Sequence, residues 1–134
     1  MQSFRTYLVA LFILTFTWTI ALGQEVDIDL IIGKWKFVKA TTSQTEQAYR
    51  YNGDPLLTFE KGGHWITEDT NPKYRQSGSW KIENNLLIRD PAVSGLGDIG
   101  PYSRVIDKLT QTDLVFYASD KGARTFTFYF TKIE

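Results

Sequence analysis

The chain predicts an all-β fold: an eight-stranded antiparallel up-and-down β-barrel with a short N-terminal helical turn closing one end. Three observations carry this expectation. From Gly33 onward helical periodicity is absent, and bulky residues recur at every second position. Eight such segments follow one another with turn chemistry between them and no intervening helix, which indicates a meandering antiparallel sheet, closed as a barrel or folded as a sandwich. The connections also alternate in length. In an up-and-down meander alternate connections lie at opposite ends, so this pattern points to an asymmetric barrel with a tight floor and a loop-rich rim.

The first 23 residues stand apart from that fold. Met1 to Arg5 supplies one positive charge, Tyr7 to Ile20 carries none, and Ala21-Leu22-Gly23 places small residues where a signal peptidase reads. A permanent anchor needs about 20 apolar residues, more than this run offers. Residues 1–23 are therefore expected to be a secretory signal peptide. Residues 24–134 then form one domain, secreted or periplasmic, with no membrane span in the mature form. Of 15 basic residues only Arg5 lies in the leader, so 14 basic residues face 15 acidic ones in the mature domain. A near-neutral domain without a basic stripe gives no reason to expect a nucleic acid partner. The chain has no cysteine, hence neither a disulfide nor a site for lipid attachment, and its core alone must hold it.

Taken in order, Val26 to Ile32 combines aspartates suited to capping with apolar residues, and predicts a single helical turn. The expected strands are 34–39, 56–60, 64–68, 77–82, 86–89, 102–109, 114–118 and 124–132, separated by Gly, Asn, Asp and Pro clusters. The second and third, fourth and fifth, and sixth and seventh are joined by turns of hairpin length. Long loops are expected over 40–55, 69–76 and 90–101, and an intermediate one over 119–123. Along these strands, alternation allows Trp35, Phe37, Phe59, Trp65, Trp80, Phe116, Phe126, Phe128 and Phe130 to share the interior face. Nine aromatics there argue for a filled or shallow interior. Tyr49, Tyr51, Tyr74 and Tyr102 instead fall in or beside the rim loops, with the glycine-rich run 91–101. Tyrosine recurs at binding surfaces because it offers amphipathic area at low entropic cost, although loops also need apolar residues to lie down on a barrel end.

Several stretches resemble the small bacterial lipocalin-like proteins, with their calycin-type barrel. They are Gly33-Lys34-Trp35 opening the first strand, the hairpin Leu57-Thr58-Phe59-Glu60-Lys61-Gly62-Gly63-His64-Trp65, Gly78-Ser79-Trp80-Lys81-Ile82, and the final Thr125-Phe126-Thr127-Phe128-Tyr129-Phe130-Thr131-Lys132. The resemblance covers essentially all of 24–134. It implies an exported eight-stranded barrel of a type used to hold small apolar molecules. The chain departs from larger lipocalins in lacking a disulfide and room for a C-terminal helix, so their ligand-contacting positions are not carried over. Gly33 and Trp35 match the Gly-x-Trp motif and take a structural role. The basic residue that packs across such a tryptophan is sought where the last strand returns beside the first, and Lys132 has the required position and parity.

Catalytic and metal chemistry finds little support. His64 is the only histidine, beside a floor turn, without partners at ligand spacing. Glu68 and Asp69 are adjacent and so point to opposite faces of a strand. The run 94–100 has glycines but no strand-to-helix context, and is expected to be a lid or plain loop. No enzyme activity, metal or cofactor is expected. Arg104 shares a face with Tyr102 and Ile106: inside the barrel it would pair with the carboxylate of a fatty-acid-like ligand, whereas a one-residue slip would turn Val105 inward and Arg104 into water. The expected function is binding of a small hydrophobic or amphipathic ligand at the open end through Tyr49, Tyr51, Tyr74, Tyr102, Arg104 and Phe126. The alternative is a solid-core barrel whose Tyr- and Gly-rich rim binds a protein or glycan.

Overall fold

The structure, a computed structural model, describes residues 26–42 and 55–134, and the backbone of 48–49. The signal-peptide expectation therefore lies outside the described residues. Asp27 opens a 3-10 turn over Ile28–Ile31, its carboxylate accepting the Asp29 N–H at 3.1 Å. The strands are β1 Gly33–Thr42, β2 Ala48–Tyr49, β3 Leu56–Glu60, β4 His64–Glu68, β5 Gln76–Glu83, β6 Leu86–Ser94, β7 Tyr102–Leu109, β8 Asp113–Asp120 and β9 Ala123–Lys132, with a second 3-10 turn at Pro72–Tyr74. From β3 to β9 each strand pairs antiparallel with the next; β1 pairs with β3 on one side and β9 on the other, so eight strands close into a barrel. The two-residue β2 takes the edge of β1 beyond β3: β3 covers Gly33 to Lys36, and β2 covers Ala40 and Thr41.

Several boundaries differ from expectation: β1 runs on to Thr42, and the short β2 falls within the loop expected over 40–55. β6 runs on to Ser94 because its pairing with β5 survives a bulge at Ser77/Gly78, which leaves Pro91 opposite Gly78 and Val93 opposite Ser77. The connection between β8 and β9 is not an intermediate loop but a two-residue hairpin. Lys121 and Gly122 lie at φ 50° and 79°, the left-handed pair that a tight turn matched to strand twist requires. In β1 a bulge between Phe37 and Lys39 leaves Val38 exposed and restores the inward parity at Ala40, which is fully buried opposite Phe128.

The floor half of the barrel is solid. Ile31, Trp35, Phe59, Trp65, Leu87 and Leu114 are essentially without solvent exposure, and the Phe59 and Trp80 rings meet edge to face at 5.6 Å. The Trp80 indole N–H reaches the Glu60 and His64 carbonyls across the first hairpin. Trp35 donates its indole N–H to the Ile31 carbonyl at 2.8 Å, which ties the first turn across the barrel end. Lys132 stands directly opposite Trp35 in the β1–β9 register. Its Nζ lies 5.3 Å from the indole centroid and donates to the Leu30 carbonyl at 3.2 Å. Gly33, at φ +136°, gives the room for this: a Cβ there would run into the Glu134 carbonyl oxygen and come within 2.6 Å of Lys132 Cε.

Two substitutions probe this closure. Gly33→Ala is expected to destabilise the domain by roughly 1–3 kcal/mol from backbone strain alone, with the clash added, read as a fall in the urea midpoint. Lys132→Met removes the cation from Trp35 and is expected to cost about 0.5–2 kcal/mol, lowering the melting temperature by several degrees; an unchanged melt would count against a closing role for this contact.

Candidate functional site: a cavity beneath the rim

The rim half of the barrel is hollow. A cavity of about 430 Å³ opens between the strand ends and the rim segments, within the range of small-ligand sites. Phe37 on β1, Leu57 on β3, Thr67 on β4, Phe116 on β8 and Phe128 and Phe130 on β9 form most of its wall. Gln76 on β5, Arg89 on β6, and Tyr102 and Arg104 on β7 supply its polar atoms, while Pro55, Tyr74, Leu96, Ile99 and Gly100 reach it from the rim.

Register places both arginines inside. Leu87, fully buried, stands opposite Arg104, and Arg89 stands opposite Tyr102. On the other side of β7, Ile106 stands opposite Phe116 and Val105 opposite Tyr117. Residues directly opposite share a face, so Leu87, Arg89, Tyr102, Arg104 and Ile106 all face the interior with Phe116. β7 does carry a bulge, between Ile106 and Lys108, but it falls on the floor side of Arg104 and leaves that residue pointing inward.

The guanidinium groups lie against aromatic rings. Arg89 is 6 % exposed, and its Cζ is 4.7 Å from the Tyr102 centroid, 5.1 Å from that of Trp65 and 5.4 Å from that of Phe116. Arg104 Cζ is 5.0 Å from the Tyr102 centroid and 6.0 Å from that of Phe128. Arg104 Nη1 donates to the Ser103 carbonyl at 3.0 Å, while its Nε is buried without a hydrogen-bond partner. Burial pulls the Arg104 pKa below an arginine's ordinary value, and the neighbouring Tyr102 opposes that shift.

Hydrogen bonds lace the rim together. The Tyr102 hydroxyl donates to Gln76 Oε1 at 2.8 Å, Gln76 Nε2 donates to Ser94 Oγ at 3.3 Å, and Ser94 Oγ also accepts the Leu96 N–H at 3.1 Å. The Gly95 N–H donates to the Arg75 carbonyl at 2.9 Å, and a Cβ at Gly95 would strike the Pro72 and Lys73 carbonyls. The two rim segments 71–75 and 94–97 are thus buckled to each other, with Leu96 turned over the cavity. Asp69 and Asn71 shape the first of them, accepting the Asn71 and Lys73 N–H groups.

Of the residues expected to meet a ligand, Tyr74, Tyr102 and Arg104 come together at this cavity. Phe126 is not among its lining residues; it stands further toward the rim, its ring 6.4 Å from that of Phe128. Only the backbone of Tyr49 is described, paired with Ala40, and Tyr51 lies outside the described residues. Arg89 was not anticipated. Its parity with Leu87 is the signal that points to it, but Leu86 and Ile88 make the other face of the segment equally apolar. His64 sits at the exposed floor with Nδ1 3.3 Å from Glu60, and the described residues hold no cluster of three or more His, Cys, Asp or Glu side chains that fits a metal ion.

A closed antiparallel barrel of eight strands, plugged at one end and hollow at the other, has the lipocalin-like architecture. Solved structures share it. A lipocalin-like protein from Bacteroides uniformis superposes with a TM-score of 0.58 at 12 % identity, over 78 % of this chain and 99 % of its own. An uncharacterized protein from Bacteroides eggerthii gives 0.57 at 15 % identity, over 76 % of this chain and 98 % of its own. At such identities the likeness is one of fold. No protein-family model matches the chain, and no curated protein matches it.

Arg104 carries its charge at a cost in stability. Because burial depresses its pKa, the folded state is penalised wherever the group stays protonated, and relief would come only as pH rises toward that pKa. Arg104→Met is therefore expected to raise the melting temperature of the unliganded protein by a few degrees, equally at pH 5 and pH 8. A fall of several degrees would show that packing of the guanidinium outweighs its desolvation.

Proposed function

We propose that this protein is an exported binding protein that holds one small apolar or amphipathic molecule in the cavity beneath its rim, and that it acts by binding and not by catalysis. The carrying observation is the cavity of about 430 Å³, walled largely by aromatic and aliphatic side chains with a few convergent polar groups. A barrel of eight strands is just wide enough either to fill with side chains or to keep one small molecule. Here the floor half takes the first course and the rim half the second, which argues against the solid-core alternative raised by the nine aromatics. Export is supported by the charge and apolar pattern of residues 1–23. Among the described residues no helix is long and apolar enough to cross a membrane.

Native mass spectrometry of protein purified from its own cells is expected to show a bound mass that is lost on denaturation. Delipidated protein is expected to bind a neutral naphthylamine probe at a ratio of one to one, with a blue-shifted emission. A clean unliganded mass together with no probe binding would overturn the carrier reading. Export is read separately: the mature N-terminus is expected at Gln24, and a cytoplasmic protein retaining Met1 would remove that part.

A further inference from the structure

We infer that the ligand is an anionic amphiphile, a carboxylate on an apolar body of medium length, with its head group seated against Arg104. This rests on the carrier reading above and adds the chemical class of the cargo.

The wall charge is the first reason. The described residues that line the cavity include two arginines and no aspartate or glutamate. Arginine does not discharge at any physiological pH, so burial cannot remove the charge and only makes it more costly. The second reason is the state of Arg104. Arg104 lines the cavity, and its one described side-chain hydrogen bond, from Nη1, goes to the neighbouring Ser103 carbonyl. Among the described residues no carboxylate forms an ion pair with it, and a guanidinium hydrogen-bonds a charged acceptor more strongly than a neutral one.

Geometry selects among anions. Both guanidinium groups lie against the Tyr102 ring, and Arg104 also approaches that of Phe128. Ring contact occupies the faces of a guanidinium and leaves its edge, where the N–H groups point, for hydrogen bonding. A carboxylate is planar and meets that edge with two parallel bonds. Phe37, Phe128 and Phe130 offer apolar surface for the body of the molecule. The cavity volume of about 430 Å³ lies in the range of small-ligand sites, and dodecyl compounds serve as probes of medium length.

The test compares dodecanoic acid, dodecanol and dodecylamine, each below its micellar concentration, by displacement of the neutral naphthylamine probe from delipidated full-length mature protein at pH 7.5. The acid is expected to bind about tenfold or more tighter than the alcohol, with the amine weakest. In Arg104→Gln the acid and alcohol are expected to converge, whereas Arg124→Gln, on the outer face over Tyr117, should keep the preference. If the alcohol or amine matches the acid in the unaltered protein, the cavity binds but the anion inference is wrong. If Arg104→Gln keeps the full preference, Arg104 is not the seat and the inference is overturned in that form. If none of the three ligands nor the probe binds, the carrier reading itself has failed.

Discussion

The contact between β1 and β9 is the constraint on which the rest of this structure depends. An open eight-stranded meander would present two unpaired edges and leave its aromatic face half wet. Closure removes both edges. The β1–β9 ladder runs from Trp35 opposite Lys132 to Thr42 opposite Phe126, and its floor end is locked by Lys132 under the Leu30 carbonyl and the Glu134 backbone passing over Gly33. No disulfide assists. A large indole fully removed from water, a cation across its face and a hydrogen bond from its N–H to the first turn all act at the same spot, so losing one weakens the others.

Closing one end firmly is what permits the other end to be hollow. The same inward parity that stacks Trp35, Phe59 and Trp65 at the floor reaches Arg89, Tyr102, Arg104 and Phe128 toward the rim. There the side chains no longer meet across the barrel. The rim is held instead by polar ties: Tyr102 to Gln76 to Ser94, and Gly95 against the Pro72–Tyr74 turn. Those ties bring Leu96 over the cavity, which Ile99 also lines. The protein therefore places most of its hydrophobic stabilisation at one pole and spends conformational restraint on the other.

Much of this architecture was legible in the sequence because it rests on local rules. Turn residues and period-two alternation locate all eight long strands, and the parity of Lys132 places it beside Trp35. What was not legible depends on pairing across strands. Asp90-Pro91 looks like the end of a strand, yet β5 carries β6 past it through a bulge. Lys121 does not advertise the left-handed conformation that makes its hairpin tight. Arg89 sits in Leu86-Leu87-Ile88-Arg89, where both faces are apolar, so only the Arg89–Tyr102 pairing reveals which way it points. The hollow itself follows from distances between side chains on opposite walls, and parity carries no information about those. Phe126 has the right parity for a ligand contact but stands beyond the volume that parity cannot see.

The β1–β9 register also has a kinetic meaning. Every other long-strand pairing joins neighbours in the chain and can form early as a hairpin or a short meander, but Trp35 meets Lys132 only after roughly a hundred residues have been made. Loop-closure entropy for that contact must be met before any of its stabilisation is returned. Until β9 is in place the edge of β1 that faces it has no partner, so the pairing that closes the barrel is the one with the longest loop to close.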